Sequence, residues 1–225
     1  MKNNTICICI MNYNCNENAL KLFNVFSEYC NNVFITDSGS PVIEPIFIKT
    51  DRPFGNLDKA NELFLGTSDI GCLYICSDVE ISLTEAEKIV ETLNNLSSDI
   101  GMYTPVVNGK SHTWLKASGN GLKDIPFCEG MIHYATRDVV EAIDTVYTMG
   151  NTYLGWGIDA WWAFVTIFKL NKRVVLDNDT SVYHPSFTSY NCSEMEKSGF
   201  DFIKSKEQDF KDYVKKVLGL DTDKR

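Results

Sequence analysis

The chain lacks any segment long and apolar enough to span a bilayer: no run reaches 18 apolar residues, and its richest stretch, "IDAWWAFVTIFKL", opens on Asp159. It also lacks the marks of a secretory leader. "MKNNTICICIMNY" carries one Lys and meets Asn12 and Asn14 without a small-residue cleavage site, so a cytoplasmic protein is expected. Eight cysteines are present, at 7, 9, 15, 30, 72, 76, 128 and 192, but paired C-x-x-C or C-x-x-C/H-x-x-x-H spacing is missing. That pattern speaks against a structural zinc site. Cys7, Cys9, Cys72 and Cys76 fall inside apolar strand-like runs and read as buried free thiols. Positive charge is short as well, with 21 Lys and Arg against 30 Asp and Glu for a net charge of −9, which disfavours duplex nucleic acid as a simple binding partner. No internal repeat and no low-complexity segment occurs.

What is present suits one globular domain, or a domain with a small appendage. The 225 residues are 44% hydrophobic and 23% charged, enough to bury a full core. "TICICIM" reads as a buried strand, "ENALKLFNVFSEYC" as an amphipathic helix and "NNVFITD" as a strand ending in Asp37, a β-α-β start. "EPIFIKT" predicts a short strand, "GNLDKANELFLGT" a helix, "IGCLYICSD" a strand and "SLTEAEKIVETLNNL" a helix capped by Ser82 or Thr84. Such alternation implies an α/β fold with a mainly parallel sheet between helices. Further on come a strand-like "IGMYTPVV", a polar Gly-rich stretch at 108–124 that reads as a mobile loop, "FCEGMIHYATRDVVEAID", the "GWGIDAWW" region and "RVVLDNDTSVYHP". The expected division is a domain over 1–190 and a C-terminal helical extension over 191–225, where one or two surface helices are expected.

"YICSDVEIS" poses the chemical question. An apolar strand ends in Asp78 and Glu80, one residue apart, and Asp37 ends another strand. Ligands of parallel α/β sheets bind beyond the C-terminal strand ends, so these carboxylates should converge. Asp78 and Glu80 could present hard oxygen ligands to Mg²⁺ or Mn²⁺, which would neutralise a diphosphate. The plain alternative is that Asp78 or Ser77 caps the next helix while Glu80 points to solvent.

The order of the pieces resembles the inverting, metal-dependent glycosyltransferases of GT-A fold, family 2 above all, over roughly residues 5 to 185. "ICICIMNYN" is similar to that family's first strand, "FITDSGS" to its Asp-ended second strand, "GNLDKAN" to its Gly-rich helix entry with an Ala-Asn pair, and "CSDVE" to its D-x-D. "CEGMIHYATRDVVEAID" resembles the acceptor-side segment, "YLGWGIDAWWAF" the G-W-G-E-D motif and "SVYHP" the strand that supplies a metal-binding His. The resemblance implies a sugar moved from a nucleoside-diphosphate donor, most often a UDP-sugar, to an acceptor hydroxyl. It implies donor contacts at Asn12, Asp37, Asn56, Asn61 and Asp78, with Asp37 on the base or ribose. It further implies Mn²⁺ or Mg²⁺ on Asp78, Glu80 and His184, acceptor contacts at Trp156 and Gly157, and Asp159 as general base. Trp156, set between two glycines, is expected to stack on an acceptor sugar. His112 and His133 read as structural. The chain departs from the motif at Ile158, where the family has Glu, which puts acceptor contacts in doubt more than base catalysis. The acceptor itself stays open between a small glycan, a glycolipid, a protein and a modified nucleobase. A sugar-phosphate nucleotidyltransferase would need a Gly-rich loop with Arg and Lys after the first strand, which "MNYNCNEN" does not offer; a non-catalytic nucleotide- or glycan-binding module is the other alternative.

Overall fold

The computed structural model describes residues 3–41, 44–50, 55–109, 111–143, 157–185 and 192–219. Strand β1 (Asn3–Asn12), helix α1 (Asn16–Ser27) and strand β2 (Cys30–Asp37) form the expected opening unit. The next strand, β3, shrinks to Ile48–Lys49, and helix α2 (Asn56–Leu65) follows. Strand β4 (Gly71–Cys76) then runs through the core, and helix α3 (Leu83–Asn94) starts on a full capping box. Ser82 receives the Glu85 main-chain N–H while the Glu85 carboxylate receives that of Ser82, which decides between the two expected caps.

The second half adds strands β5 (Ile100–Gly109), β6 (Leu122–Asp124) and β7 (Ile132–Thr136), helix α4 (Arg137–Ala142), helix α5 (Ile158–Phe164) widening into a π-turn at Val165–Lys169, strand β8 (Arg173–His184), and helices α6 (Cys192–Ser205) and α7 (Gln208–Leu218). All eight strands join one sheet in the order β3-β2-β1-β4-β7-β5-β8-β6. The β1–β2, β1–β4, β2–β3 and β5–β8 pairs are parallel; β7 runs antiparallel to both its neighbours, and β6 runs antiparallel to β8. The chain leaves β1 toward β2 and later returns to β4 on β1's other side, which opens a crevice at the C-terminal ends of β1 and β4.

Two expectations change here. The polar stretch at 108–124 is tied down: Lys116 Nζ donates to the Val107 and Gly109 carbonyls at 2.8 Å each, Trp114 Nε1 donates to the Phe127 carbonyl at 3.1 Å, and Ser118 N donates to Asn178 Oδ1 at 2.9 Å. Its polar residues are spent on neighbouring strands, so the described part of this segment is a bound crosspiece. The C-terminal helices are not mere surface helices either, since Phe202, Ile203, Phe210 and Val214 enter the same core as the sheet. Among the described residues, no helix is long and apolar enough to cross a membrane.

Candidate active site

The floor of the crevice is a closed hydrogen-bond network. Asn12 and Asp37 are register partners at the ends of β1 and β2. Asn12 Nδ2 donates to Asp37 Oδ2 at 2.6 Å, the Ser40 hydroxyl donates to the same oxygen at 2.6 Å, and the main-chain N–H groups of Gly39 and Ser40 donate to Oδ1 at 3.0 and 2.9 Å. Burial would push the Asp37 carboxyl up, but the donors from Ser40, Gly39 and Asn12 outweigh it and hold the group below its ordinary value. Asn56 Nδ2 ties this floor to α2 through the Asn12 carbonyl at 2.8 Å and the Ser38 hydroxyl at 3.0 Å. Asn61 lies inside, accepting the Tyr74 hydroxyl at 2.6 Å. Of the residues expected to touch the donor, Asn12, Asp37 and Asn61 are thus buried and bonded within the protein, because a strand end enclosed by two helices must satisfy its polar groups before a ligand arrives.

Asp78 is different. The turn after β4 is clamped by Asn18, whose Nδ2 donates to the carbonyls of Ser77 at 2.7 Å and Val79 at 2.9 Å. This aims Asp78 Oδ2 at His184 Nε2, 3.3 Å away at the end of β8, while Asp78 Oδ1 is buried without a hydrogen-bond partner. Glu80 exchanges both main-chain hydrogen bonds with Tyr183, the neighbour of His184, at 2.8 and 3.2 Å. The strand ends therefore bring all three expected ligands into one neighbourhood, but the Glu80 carboxylate is exposed and does not close with the other two into a compact three-ligand cluster. Among the described residues, three ligating side chains meet that tightly at Cys7, Cys9 and Cys72 alone, where the thiols lie within 4.8 Å of one another in the sheet interior. They are free thiols, as expected, and burial pushes the Cys72 thiol well up.

Across the crevice, Asp159 starts α5 behind Gly157, whose φ of 84° is a left-handed conformation that suits glycine. The Asp159 carboxylate takes the Ala160 main-chain N–H at 2.8 Å and lies against that of Gly130, yet burial still pushes it up to about 6. Near it stands Glu129, which lies in the segment "CEGMIHYATRDVVEAID" but is not singled out there. Burial pushes Glu129 up to about 7, the Asp159 charge adding to the rise, while the His112 N–H, His184 and Lys116 act the other way. His112 holds both Glu129 oxygens, its main-chain N–H donating to Oε2 at 3.1 Å and its Nε2 lying 3.5 Å from Oε1. His133 is structural as expected, and it supports the same segment. Its buried ring bonds the Glu129 carbonyl, and burial lowers it to about 4, so it is neutral. The signal for Glu129 was a lone acid in the apolar "FCEGMI", just ahead of a strand. Trp156 lies outside the described residues.

No protein-family model matches the chain, and no curated protein matches it in sequence. Solved structures do. The chain superimposes on GalNAc-T7 crystallised with UDP, GalNAc and Mn²⁺ with a TM-score of 0.63 at 10% identity, covering 97% of this chain and 52% of that one, so it spans about half of GalNAc-T7. A mycobacterial protein gives 0.59 at 10% identity over 97% and 76% of the two chains. Glucosyl-3-phosphoglycerate synthase from Mycobacterium tuberculosis, in complex with Mg²⁺ and uridine diphosphate, gives 0.56 at 12% identity over 97% and 80%. At such identities the likeness is one of fold, and the fold is GT-A, as the motif order implied.

Proposed function

We propose that this chain is a divalent-metal-dependent glycosyltransferase that moves a sugar from a nucleoside-diphosphate donor, a UDP-sugar, to an acceptor hydroxyl with inversion. The observation that carries the reading is Asp78 Oδ1, a buried carboxylate oxygen with no partner at the crevice of a GT-A sheet, beside His184 and opposite a second carboxylate whose basicity is raised. A buried carboxylate oxygen left without a donor is costly, and sites that keep one commonly keep it for a ligand. The donor set fits Mn²⁺ or Mg²⁺, with Asp78 and His184 as holders and Glu80 as the third candidate on the same bridge. When bound, the ion neutralises the charge that builds on the departing diphosphate. Support also comes from two of the similar structures, GalNAc-T7 with UDP and Mn²⁺ and glucosyl-3-phosphoglycerate synthase with uridine diphosphate and Mg²⁺.

The protein's own residues divide the remaining work. The Asn12–Asp37–Ser40 network keeps the floor rigid under the nucleotide, and Asn56 and Gly39 lie at its rim. Asp159 takes the proton of the acceptor hydroxyl. With its carboxyl raised to about 6 it is a stronger base than an ordinary Asp and is still mostly ionised at neutral pH. Asp159→Asn keeps the shape and removes the basicity, so transfer should fall by at least about 10²-fold while UDP affinity, measured by calorimetry, stays put. In the unaltered protein, transfer should decline below about pH 6, tenfold per unit, as the base is protonated.

The function is tested by heating the protein with nucleoside diphosphates and Mn²⁺, then by following hydrolysis of UDP-sugars. A rise in melting temperature that requires both UDP and Mn²⁺, with release of free sugar, is the expected result. Absence of both responses would overturn the reading, and a rise without any turnover would leave a binding module. Product with the donor's own anomeric configuration would refute inversion and the role given to Asp159.

A further inference from the structure

The Asp159 side of the crevice holds an acid for which the proposed transfer has so far no use. Glu129 is largely enclosed, with 16% of its side chain exposed, and it is held from three directions. The His112 main-chain N–H holds Oε2 while its ring lies 3.5 Å from Oε1, His133 bonds the Glu129 main-chain carbonyl, and the following residue, Gly130, sends its N–H to Asp159. The segment 128–130 is thus held at several points, and it keeps the Glu129 carboxylate within electrostatic reach of Asp159. Each of their oxygens has two lone pairs, so the donors from His112, Ala160 and Gly130 leave acceptor capacity on both groups.

Next to this pair lies a flat aromatic surface. The His112 ring stacks on Trp114 with centroids 4.3 Å apart and planes 9° from parallel, and Phe127 abuts both edge-on at 5.5 and 5.0 Å. Phe127 is buried, Trp114 is partly buried and hydrogen-bonded to the Phe127 carbonyl, and His112 is 40% exposed, so the stack is rigid and open on its His112 side. Burial keeps His112 toward its neutral form. A neutral aromatic plate beside carboxylates suits the C–H face of a sugar ring, which carries hydroxyls at its rim.

We propose that Glu129 and the His112–Trp114 stack form an acceptor subsite for a pyranose, with Glu129 receiving the hydrogen bond of the hydroxyl adjacent to the one that Asp159 deprotonates. Two neighbouring carboxylates are matched by two hydroxyls on adjacent carbons, which a saccharide offers and a lone seryl or threonyl hydroxyl does not. Ile158, buried ahead of Asp159, supplies no polar group on that side, so the second acceptor contact comes from another element. Glu129 acts as a binding and orienting residue, and the proton leaves on Asp159. This inference rests on the proposed glycosyl transfer only for the role of Asp159; the saccharide subsite can be tested without a donor.

The experiment is saturation-transfer NMR on the full chain with methyl pyranosides of glucose, galactose, mannose, N-acetylglucosamine and N-acetylgalactosamine, each with and without UDP and Mn²⁺, and acetyl-threonine amide as the control. At least one pyranoside should give saturation transfer, lost in both Glu129→Gln and His112→Ala, while both variants keep the parent's melting temperature within about 3 °C. With that sugar as acceptor, Glu129→Gln should raise KM about 10- to 100-fold and leave kcat within about threefold, the mark of lost binding and not of a lost base. Silence from every pyranoside in both conditions, a signal that survives both substitutions, or a signal from the threonine amide alone would overturn the subsite. Loss of the UDP and Mn²⁺ response with sugar binding intact would count against the proposed transfer and leave the subsite standing.

Discussion

Asp37 and Asp78 end two strands of one sheet, and their surroundings set them apart. Asp37 has four donors and a lowered pKa, so its charge is stabilised before any ligand comes. Asp78 keeps one buried oxygen unpaired, at a cost of about 1–3 kcal/mol for such a group. Asp78→Asn should therefore leave the ligand-free protein as stable as before or slightly more so, while the Mn²⁺-dependent stabilisation by UDP disappears; a thermal-shift titration that finds that response unchanged would remove Asp78 from the metal site. His133 offers a separate test. Its folded pKa, about 4, lies below the unfolded value of 6.5, so its contribution to stability is complete above pH 6.5 and is lost as the pH falls toward 4, when the unfolded chain takes up a proton that the folded one refuses. The loss amounts to about 3 kcal/mol across that window. His133→Gln keeps a donor for the Glu129 carbonyl and cannot titrate, so urea unfolding at pH 7 and pH 4.5 should show the acid-side loss in the parent and not in the variant. Asp159 and Glu129 oppose this trend, because their raised carboxyls bind protons more tightly when folded, but they do so in both proteins and drop out of the comparison.

At the scale of elements, β8 carries His184 to the crevice, and its last pairing is with Gly109 of β5. Gly109 has a φ of 88°, and a Cβ there would fall 2.0 Å from the His184 carbonyl oxygen. Both the left-handed backbone and the close approach require glycine. Gly109→Ala should push the end of β8 outward, so the expected result is a Mn²⁺ affinity lower by about tenfold or more, read by calorimetry in the presence of UDP. Unaltered metal affinity would mean that the β8 end moves without consequence for the site, or that His184 is not a ligand. The crosspiece at 111–124 acts on the same strand from its other edge, through Asn178 and Asp179. The helix entry at Ser82 fixes the chain just past Glu80, which keeps the Glu80–Tyr183 bridge in register.

For the whole molecule, the C-terminal helices complete the core under α5. Phe210 is fully buried and meets Trp161 edge-on at 5.0 Å and Phe164 at 5.4 Å, both on α5, the helix that starts with Ile158 and Asp159. Tyr213, on α7 like Phe210, donates its hydroxyl to the Pro126 carbonyl, three residues before Glu129. So α7 braces the two segments that carry the paired acids. Phe210→Ala should cost about 3–5 kcal/mol in urea unfolding and weaken acceptor turnover more than UDP binding, since the cavity lies beneath α5 and not beneath β1 and β4. A loss under about 1 kcal/mol would show that the helices are only loosely docked.

The sequence by itself determined most of the elements and their order, β6 inside the stretch read as a loop being the exception. Apolar runs such as "TICICIM" and "IGCLYICSD" have no other place than a buried strand, and the alternation with amphipathic helices leaves a parallel α/β sheet as the economical arrangement. It also marked Asp78, as a carboxylate at a strand end, while His184 was marked by the resemblance of "SVYHP" alone. Which carboxylates were fully satisfied was decided by the tertiary structure: the turn after Asp37 supplies the Gly39 and Ser40 donors, but the Asn12 donor comes from the neighbouring strand end, and the lack of a donor at Asp78 is equally a matter of three dimensions. The reversed direction of β7 was also hidden, since a five-residue apolar strand reads the same either way. Glu129 stayed out of sight for the most basic reason. Its raised pKa and its neighbours, His112 and Asp159, arise from burial among segments separated in the chain, and burial is a property of the packed molecule that no local spacing encodes.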